Sequence, residues 1–173
     1  ENSSIWIEPP FQCDYGFNIK FGEKVFFNFN CVILDSIEVS IGDNVMFGPD
    51  VQIYTPQHPI HPEERATWLE KSSPVLIGDD VWIGGSTVIC PGVSIGKGTV
   101  IGAGSVVNKN IPEGVVAAGN PCKVIRKITE KDKILDIVQT EPKQFQLVLL
   151  AIIRLIESKQ IQDIFISQTL MQE

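Results

Sequence analysis

His58 lies in the segment Thr55-Pro56-Gln57-His58-Pro59-Ile60-His61-Pro62, where three prolines fall within seven residues. An imidazole has an unperturbed pKa of about 6.5, so its neutral form can accept a proton near pH 7. A histidine is therefore suited to act as a general base, and this loop carries two, His58 and His61. His61, the second of two histidines, reads as a solvated loop residue. Cys13, Cys31, Cys90 and Cys122 are far apart and form no C-x-x-C pair. That spacing offers neither a zinc site nor a disulfide framework, so no metal is expected. The thiols are expected to be small buried hydrophobes in a reducing compartment. No serine or cysteine is placed as a nucleophile beside a base and an orienting acid. Lys109, Lys123 and Arg126 form a basic group in an acidic chain, which suits recognition of phosphate.

Something must hold these groups in place, and the sequence signals it by repetition. Isoleucine recurs every six residues at Ile77, Ile83, Ile89, Ile95 and Ile101, followed by Val107. Glycine follows at Gly78, Gly84, Gly96 and Gly102, and a small or β-branched residue fills a second slot at Val81, Thr87, Val93, Thr99 and Ser105. The stretch Ile41-Gly42, Phe47-Gly48, Ile53 repeats the pattern, and Ile7, Cys13, Ile19, Val25, Cys31 and Ile37 keep the six-residue step less cleanly. A period of six matches neither an amphipathic helix nor an alternating strand. It marks a parallel β-helix in which three short sides close a turn, so that about eighteen residues advance the chain by about 4.8 Å. The aliphatic residue points inward, and the glycine is expected to accommodate positive φ at a corner.

The interruptions are also informative. The coil is expected to stop over 54–74, because a proline-rich stretch cannot continue a ladder, and long loops in compact domains tend to carry function. The repeat fades after Val107 through a turn at 110–114. From about Thr129 the pattern turns helical: a helix over Glu130 to Val138, a second from about Pro142 to Ser158, and a third through Ile161, Ile164 and Phe165. The expected organisation is a coil over 1–128, with the extruded loop, and a helical extension over 129–173. The extension is expected to cap the coil or pack between subunits.

Composition sets outer limits. The 173 residues fit one domain with a real core. With 14 Lys+Arg against 21 Asp+Glu and a net charge of −7, a nucleic-acid partner is not expected. No apolar run reaches the length of a membrane span. Residues 1–12 lack the features of a signal peptide, so a cytoplasmic location is expected.

The sequence resembles the hexapeptide-repeat O-acetyltransferases, and within them the maltose/galactoside acetyltransferase group. The likeness rests on Glu8-Pro9-Pro10-Phe11-Gln12-Cys13-Asp14-Tyr15-Gly16, on Asn28-Phe29-Asn30-Cys31-Val32-Ile33-Leu34-Asp35 and on Ile41-Gly42-Asp43-Asn44-Val45. The 54–65 loop, Val81-Trp82-Ile83-Gly84-Gly85 and Ala117-Ala118-Gly119-Asn120-Pro121-Cys122 complete it. The resemblance implies an all-β, left-handed parallel β-helix, a homotrimer with sites between subunits, and acetyl transfer from acetyl-CoA to a sugar hydroxyl by direct attack. It implies His58 as general base, Asn28 as a group that holds the acceptor oxygen, and the Gly85 N–H as oxyanion donor. Asp14, Ser36 and Glu70 match acceptor-pocket positions, and Glu70 could also orient His58. Gly85, Ala103, Asn108, Lys109, Lys123, Arg126 and Trp82 match positions along the CoA groove. Members usually carry a helical module ahead of the coil and end soon after the position of Ile128, whereas this sequence starts at the coil and continues about forty-five residues further. Maltose or glucose is the expected acceptor. The alternatives are another hydroxyl acceptor (lipopolysaccharide, nodulation factor or antibiotic) and a non-catalytic trimeric scaffold.

Overall fold

A computed structural model describes residues 5–133. The chain divides into two compact units, Glu1–Ile128 and Thr129–Glu173. The described part of the first unit is a parallel β-helix with three faces. On the first face Trp6–Ile7, Phe26–Phe27, Met46–Phe47, Trp82–Ile83, Val100–Ile101 and Val115–Ala118 stack in parallel. Phe11–Cys13, Cys31–Leu34, Gln52–Tyr54, Val88–Ile89 and Val106–Val107 make the second face. The third holds Ile19–Phe21, Val39–Ile41, Val75–Ile77 and Ser94–Ile95, and Ile111 bridges to Ile95 above them.

Each six-residue step carries the chain to the next face. Ile77, Ile83, Ile89, Ile95, Ile101 and Val107 therefore all point inward and are almost fully buried. The second slot is buried as well, and where it holds a hydroxyl that group is satisfied by the main chain. The Thr87 hydroxyl donates to Gly84 O (2.6 Å) and Thr99 to Pro112 O (2.8 Å). Burying each aliphatic side chain contributes about 1.5–3 kcal/mol, so the repeated ladder is the main source of stability.

The early turns are wider than the repeat suggests. Trp6 lies beside Phe26 and Phe26 beside Met46, a turn of twenty residues, whereas Trp82 lies beside Val100 after eighteen. The six-residue step read through Ile7 to Ile37 is thus not the working period there. Val25 and Cys31 are buried, but Ile37 is exposed. The larger perimeter needs larger filling, and phenylalanine provides it. Phe27 and Phe47 stack with centroids 4.0 Å apart, and Phe11 and Phe21 meet Phe27 edge-on. After the turn at 110–114, where the repeat fades, Val116 pairs with Val100 and the first face gains another strand. Lys123–Lys127 then folds back antiparallel on Val115–Ala118, a hairpin that the repeat does not signal.

The glycines after the isoleucines have a different reason from the one expected. Gly78, Gly84, Gly96 and Gly102 do not have positive φ. A Cβ on Gly84 would lie 2.5 Å from Ala103 N, and one on Gly96 would lie 2.4 Å from Glu113 N. They are glycine because successive turns press together there. Left-handed φ falls two residues later, at Asn44, Asp80 and Gly98 on one corner and at Asn30, Asp50, Ser86 and Gly104 on another. Their N–H groups bond to the turn below, as Ser86 does to Pro49 O (2.8 Å) and Gly104 to Gly85 O (2.9 Å).

In the second unit Glu130–Asp132 is a single 3-10 turn, capped by Thr129, whose N–H donates to Asp132 Oδ2 (2.8 Å). Lys133 is already extended, so the helix expected from Glu130 does not pass through it. The remainder of that stretch and the two later helices lie outside the described residues. No helix among the described residues is long and apolar enough to cross a membrane.

Candidate active site

The chain leaves the coil after Tyr54 and re-enters it at Val75. Between them Pro56–Gln57 pairs antiparallel with Lys71–Ser72, which forms a two-stranded stalk. A buried knot ties its base. Thr55 Oγ1 donates to Leu34 O (2.7 Å), and the Ser36 hydroxyl lies 3.0 Å from Thr55 Oγ1 and 2.7 Å from Ser72 Oγ. Ser36 is thus engaged in bracing the stalk.

At the stalk's tip Pro62–Arg65 makes one helical turn, with proline at its start and Glu63 and Glu64 in its first turn. The Arg65 guanidinium donates to Pro59 O (3.1 Å) and Ile60 O (2.8 Å), pinning the chain just after His58. Glu70, on the returning arm, places Oε1 3.2 Å from His58 Nε2, with both side chains half exposed. That contact ties the imidazole to the returning arm of the loop. His58 lines a pocket of about 550 Å³ with Pro62, Arg65, Ala66 and Trp68, and a second of about 280 Å³ with Gln57, Pro59, Ile60, Glu64 and Lys71. His61 is exposed and contributes its carbonyl to the helical turn.

Asn28 and Gly85 belong to another edge of the coil. Both follow first-face strands and lie on the corner between the first and second faces, whereas His58 springs from the corner after the second face. Asn28 is half-buried, its N–H donates to Phe47 O (3.0 Å), and its side-chain oxygen accepts from Phe29 N (2.8 Å). Neither the Gly85 N–H nor the Ala103 N–H, one turn above it, has an acceptor among the described residues. Asp14 is exposed on the corner after the second face, below the loop.

Lys123 and Arg126 project from the edge strand of the first face, opposite Ala118 and Val116. Lys109, with Asn108, lies on the corner after the second face, so one chain does not gather the three cations into a single cluster. Trp82 is half exposed on the outer side of the first face, between Met46 and Val100.

The four thiols are free and do not behave alike. Cys31 and Cys122 are buried and Cys90 is half-buried, but Cys13 is exposed. The thiol pKa of each is raised, mainly by desolvation; at Cys13 the Asp35 and Asp14 carboxylates add to it.

Residues 74–109 match the family model for the bacterial transferase hexapeptide (six repeats). A putative acetyltransferase of Saccharomyces cerevisiae is 64% identical over 126 residues, 73% of this chain and 64% of that protein. The crystal structure of a maltose O-acetyltransferase from Clostridium difficile 630 matches with a TM-score of 0.72 and 56% identity, covering 73% of this chain and 67% of the other. The chain belongs to the hexapeptide-repeat acetyltransferases, in their maltose/galactoside group. A galactoside acetyltransferase solved in complex with coenzyme A has the same TM-score at 47% identity, over 75% of this chain and 67% of that one. The chain spans slightly less than two thirds of the curated yeast relative's length.

Within this hexapeptide-repeat chain, three features of the site carry almost no sequence signal. Asp35 is fully buried, and its carboxylate accepts from the N–H groups of Tyr15 (2.9 Å), Gly16 (2.8 Å) and Asn18 (3.3 Å), holding the turn that carries Asp14. The only hint is an aspartate directly after four apolar or small residues, at the end of a buried strand. Arg65 and Trp68 enter the pocket because the loop folds back on itself, which no periodicity announces.

Proposed function

We propose that this protein transfers the acetyl group of acetyl-CoA to a sugar hydroxyl. The observation that carries the reading is His58 on a braced stalk, with Glu70 3.2 Å away, in a pocket large enough for a small acceptor. His58 takes the hydroxyl proton as the oxygen attacks the thioester carbonyl, and Glu70 stabilises the imidazolium so formed. The tetrahedral oxyanion accepts a hydrogen bond from the Gly85 N–H. As the carbon–sulfur bond breaks, His58 returns the proton to the departing thiolate. Asn28 holds the acceptor oxygen, and Asp14 grips further hydroxyls.

The residues present fit CoA. Gly85 and Ala103 present main-chain donors on successive turns, about 4.8 Å apart, to the amides of an extended arm. Lys123 and Arg126 from one protomer, with Lys109 and Asn108 from another, meet the phosphates, and Trp82 flanks the groove.

The site residues occupy two edges of one coil, so a complete site needs two chains. A homotrimer brings the His58 edge of one protomer to the Asn28 and Gly85 edge of the next. The outward column Trp6, Met46 and Trp82 on the first face gives that arrangement apolar surface to cover.

The test is thiol release from acetyl-CoA in the presence of maltose, glucose or a galactoside. His58→Ala is expected to lower kcat by about 10²–10⁴-fold while sedimentation shows an unchanged assembly. Equal turnover in that variant refutes the assignment, and kcat/KM across the panel ranks the acceptors.

A further inference from the structure

Trp68 is out of place by every local rule. Its φ of +61° lies in the left-handed region, uncommon for a bulky side chain and costly to hold. Most other non-glycine residues with positive φ are Asn or Asp at repeating corners of the coil, where each turn requires that conformation. Trp68 sits on the loop, where no stacking register imposes it. The residue is 86% exposed, so within this chain it contributes almost nothing to a core. Its main chain is nonetheless held: the N–H donates to Arg65 O (3.1 Å), which sets the indole just past the end of the helical turn. The ring then forms one wall of the 550 Å³ pocket that His58 also lines.

An indole offers a broad, rigid apolar face at the loss of only two side-chain torsions. Beside a base that must meet a hydroxyl, such a face complements one type of acceptor. That acceptor carries hydroxyls on its rim and several ring C–H bonds together on one side, as a pyranose does. Pro62 and Ala66 continue the apolar wall, and His58 and Arg65 supply the polar edge.

Resting on the acetyl-transfer reading, we infer that Trp68 is the specificity-determining platform on which a pyranose acceptor lies, its C–H face on the indole and a hydroxyl turned to His58. Acyclic alcohols lack that face and gain nothing from it. The group is a positioning residue: it touches the acceptor but moves no proton.

The experiment compares the full chain with Trp68→Gly, which removes the ring and relieves the backbone, and with Trp68→Phe, which keeps a smaller ring. The kcat/KM for a methyl pyranoside relative to glycerol is expected to fall about tenfold in Trp68→Gly, equivalent to ~1.4 kcal/mol, mostly through the sugar's KM. The phenylalanine variant should fall between, the KM for acetyl-CoA should hold, and melting should not drop. Saturation-transfer NMR with the pyranoside, without CoA, should show ring C–H signals in the wild type that are lost in Trp68→Gly. An equal loss on glycerol and pyranoside, an unchanged ratio, or a changed sedimentation coefficient overturns the inference, the last by making Trp68 a subunit contact. If the wild type releases no thiol with any alcohol, the acetyl-transfer reading fails. The platform is then judged by saturation transfer alone: absent transfer refutes it, and transfer lost in Trp68→Gly supports it.

Discussion

Replacing Gly84 by alanine separates two explanations of the repeated glycine. The added Cβ would lie 2.5 Å from Ala103 N, 2.8 Å from Ile101 O and 2.9 Å from Ala103 Cα, all main-chain atoms with no flexible end to swing aside. Ordinary contact begins at 3.4 Å, so the tightest approach is 0.9 Å short. Opening the turns by that amount would stretch the Gly84 N–H bond to Ile101 O from 2.8 Å to roughly 3.7 Å, beyond useful range. Its neighbours, Trp82 N–H to Thr99 O and Gly104 N–H to Gly85 O, share the strain. At about 1 kcal/mol net per bond, two or three weakened bonds cost about 2–3 kcal/mol, or roughly 4–12 °C in Tm for a chain of this size. Gly98 is the control. Its φ is +62° and a methyl group added there would meet nothing within 4 Å, so alanine faces only backbone strain of about 1 kcal/mol. Thermal melts of both variants at one fixed protomer concentration should rank Gly84→Ala clearly below Gly98→Ala. Equal or reversed ranking would refute the close-approach argument.

Asp35→Ala removes the acceptor of the Tyr15, Gly16 and Asn18 N–H groups and should destabilise the coil by about 3 kcal/mol, at about 1 kcal/mol per bond, in urea unfolding; a change under about 1 kcal/mol would mean that the clamp is dispensable. Glu70→Gln should lower kcat by roughly tenfold with the KM for acetyl-CoA held, because the imidazolium formed during transfer loses its carboxylate; an unchanged kcat would remove Glu70 from the mechanism. Burial raises the folded-state thiol pKa of Cys31. Between the ordinary thiol value of about 8.5 and that raised value, the folded state holds a proton that the unfolded state has released. Stability should therefore fall as pH climbs above about 8.5, and fall less in Cys31→Ala. Parallel curves for the two proteins would show that the thiol does not contribute.

The coil is readable because its physics is local and repeated. An inward aliphatic at each sixth residue from Ile77 to Val107 can be satisfied in only one way, by a side that turns after every repeat. The proline-rich exit after Tyr54 is equally plain, since Pro56, Pro59 and Pro62 cannot donate to a ladder. The early turns are harder to read. Their spacing is twenty, and Val25 and Cys31 fill second slots at positions where a six-residue count expects first ones. The role of the glycines is hidden for a related reason, since the atom that a Cβ on Gly84 would meet at 2.5 Å belongs to Ala103, nineteen residues away, and leaves no mark in either neighbourhood.

Sequence alone was enough to establish the β-helix and its interruption, because each follows from spacing within a few tens of residues, whereas the residues proposed for base, donor and phosphate chemistry rest on the resemblance of whole motifs. It could not say which of those groups meet. Folding put Glu70 beside His58, tied Ser36 into the stalk, buried Asp35 under three N–H groups and turned Trp68 into the pocket. It also set Lys109 one face away from Lys123 and Arg126. A solenoid adds residues along one axis, so which edge a side chain occupies depends on the accumulated length of every turn before it. A twenty-residue turn, a looped-out segment or a returning strand changes that sum without altering any local signal.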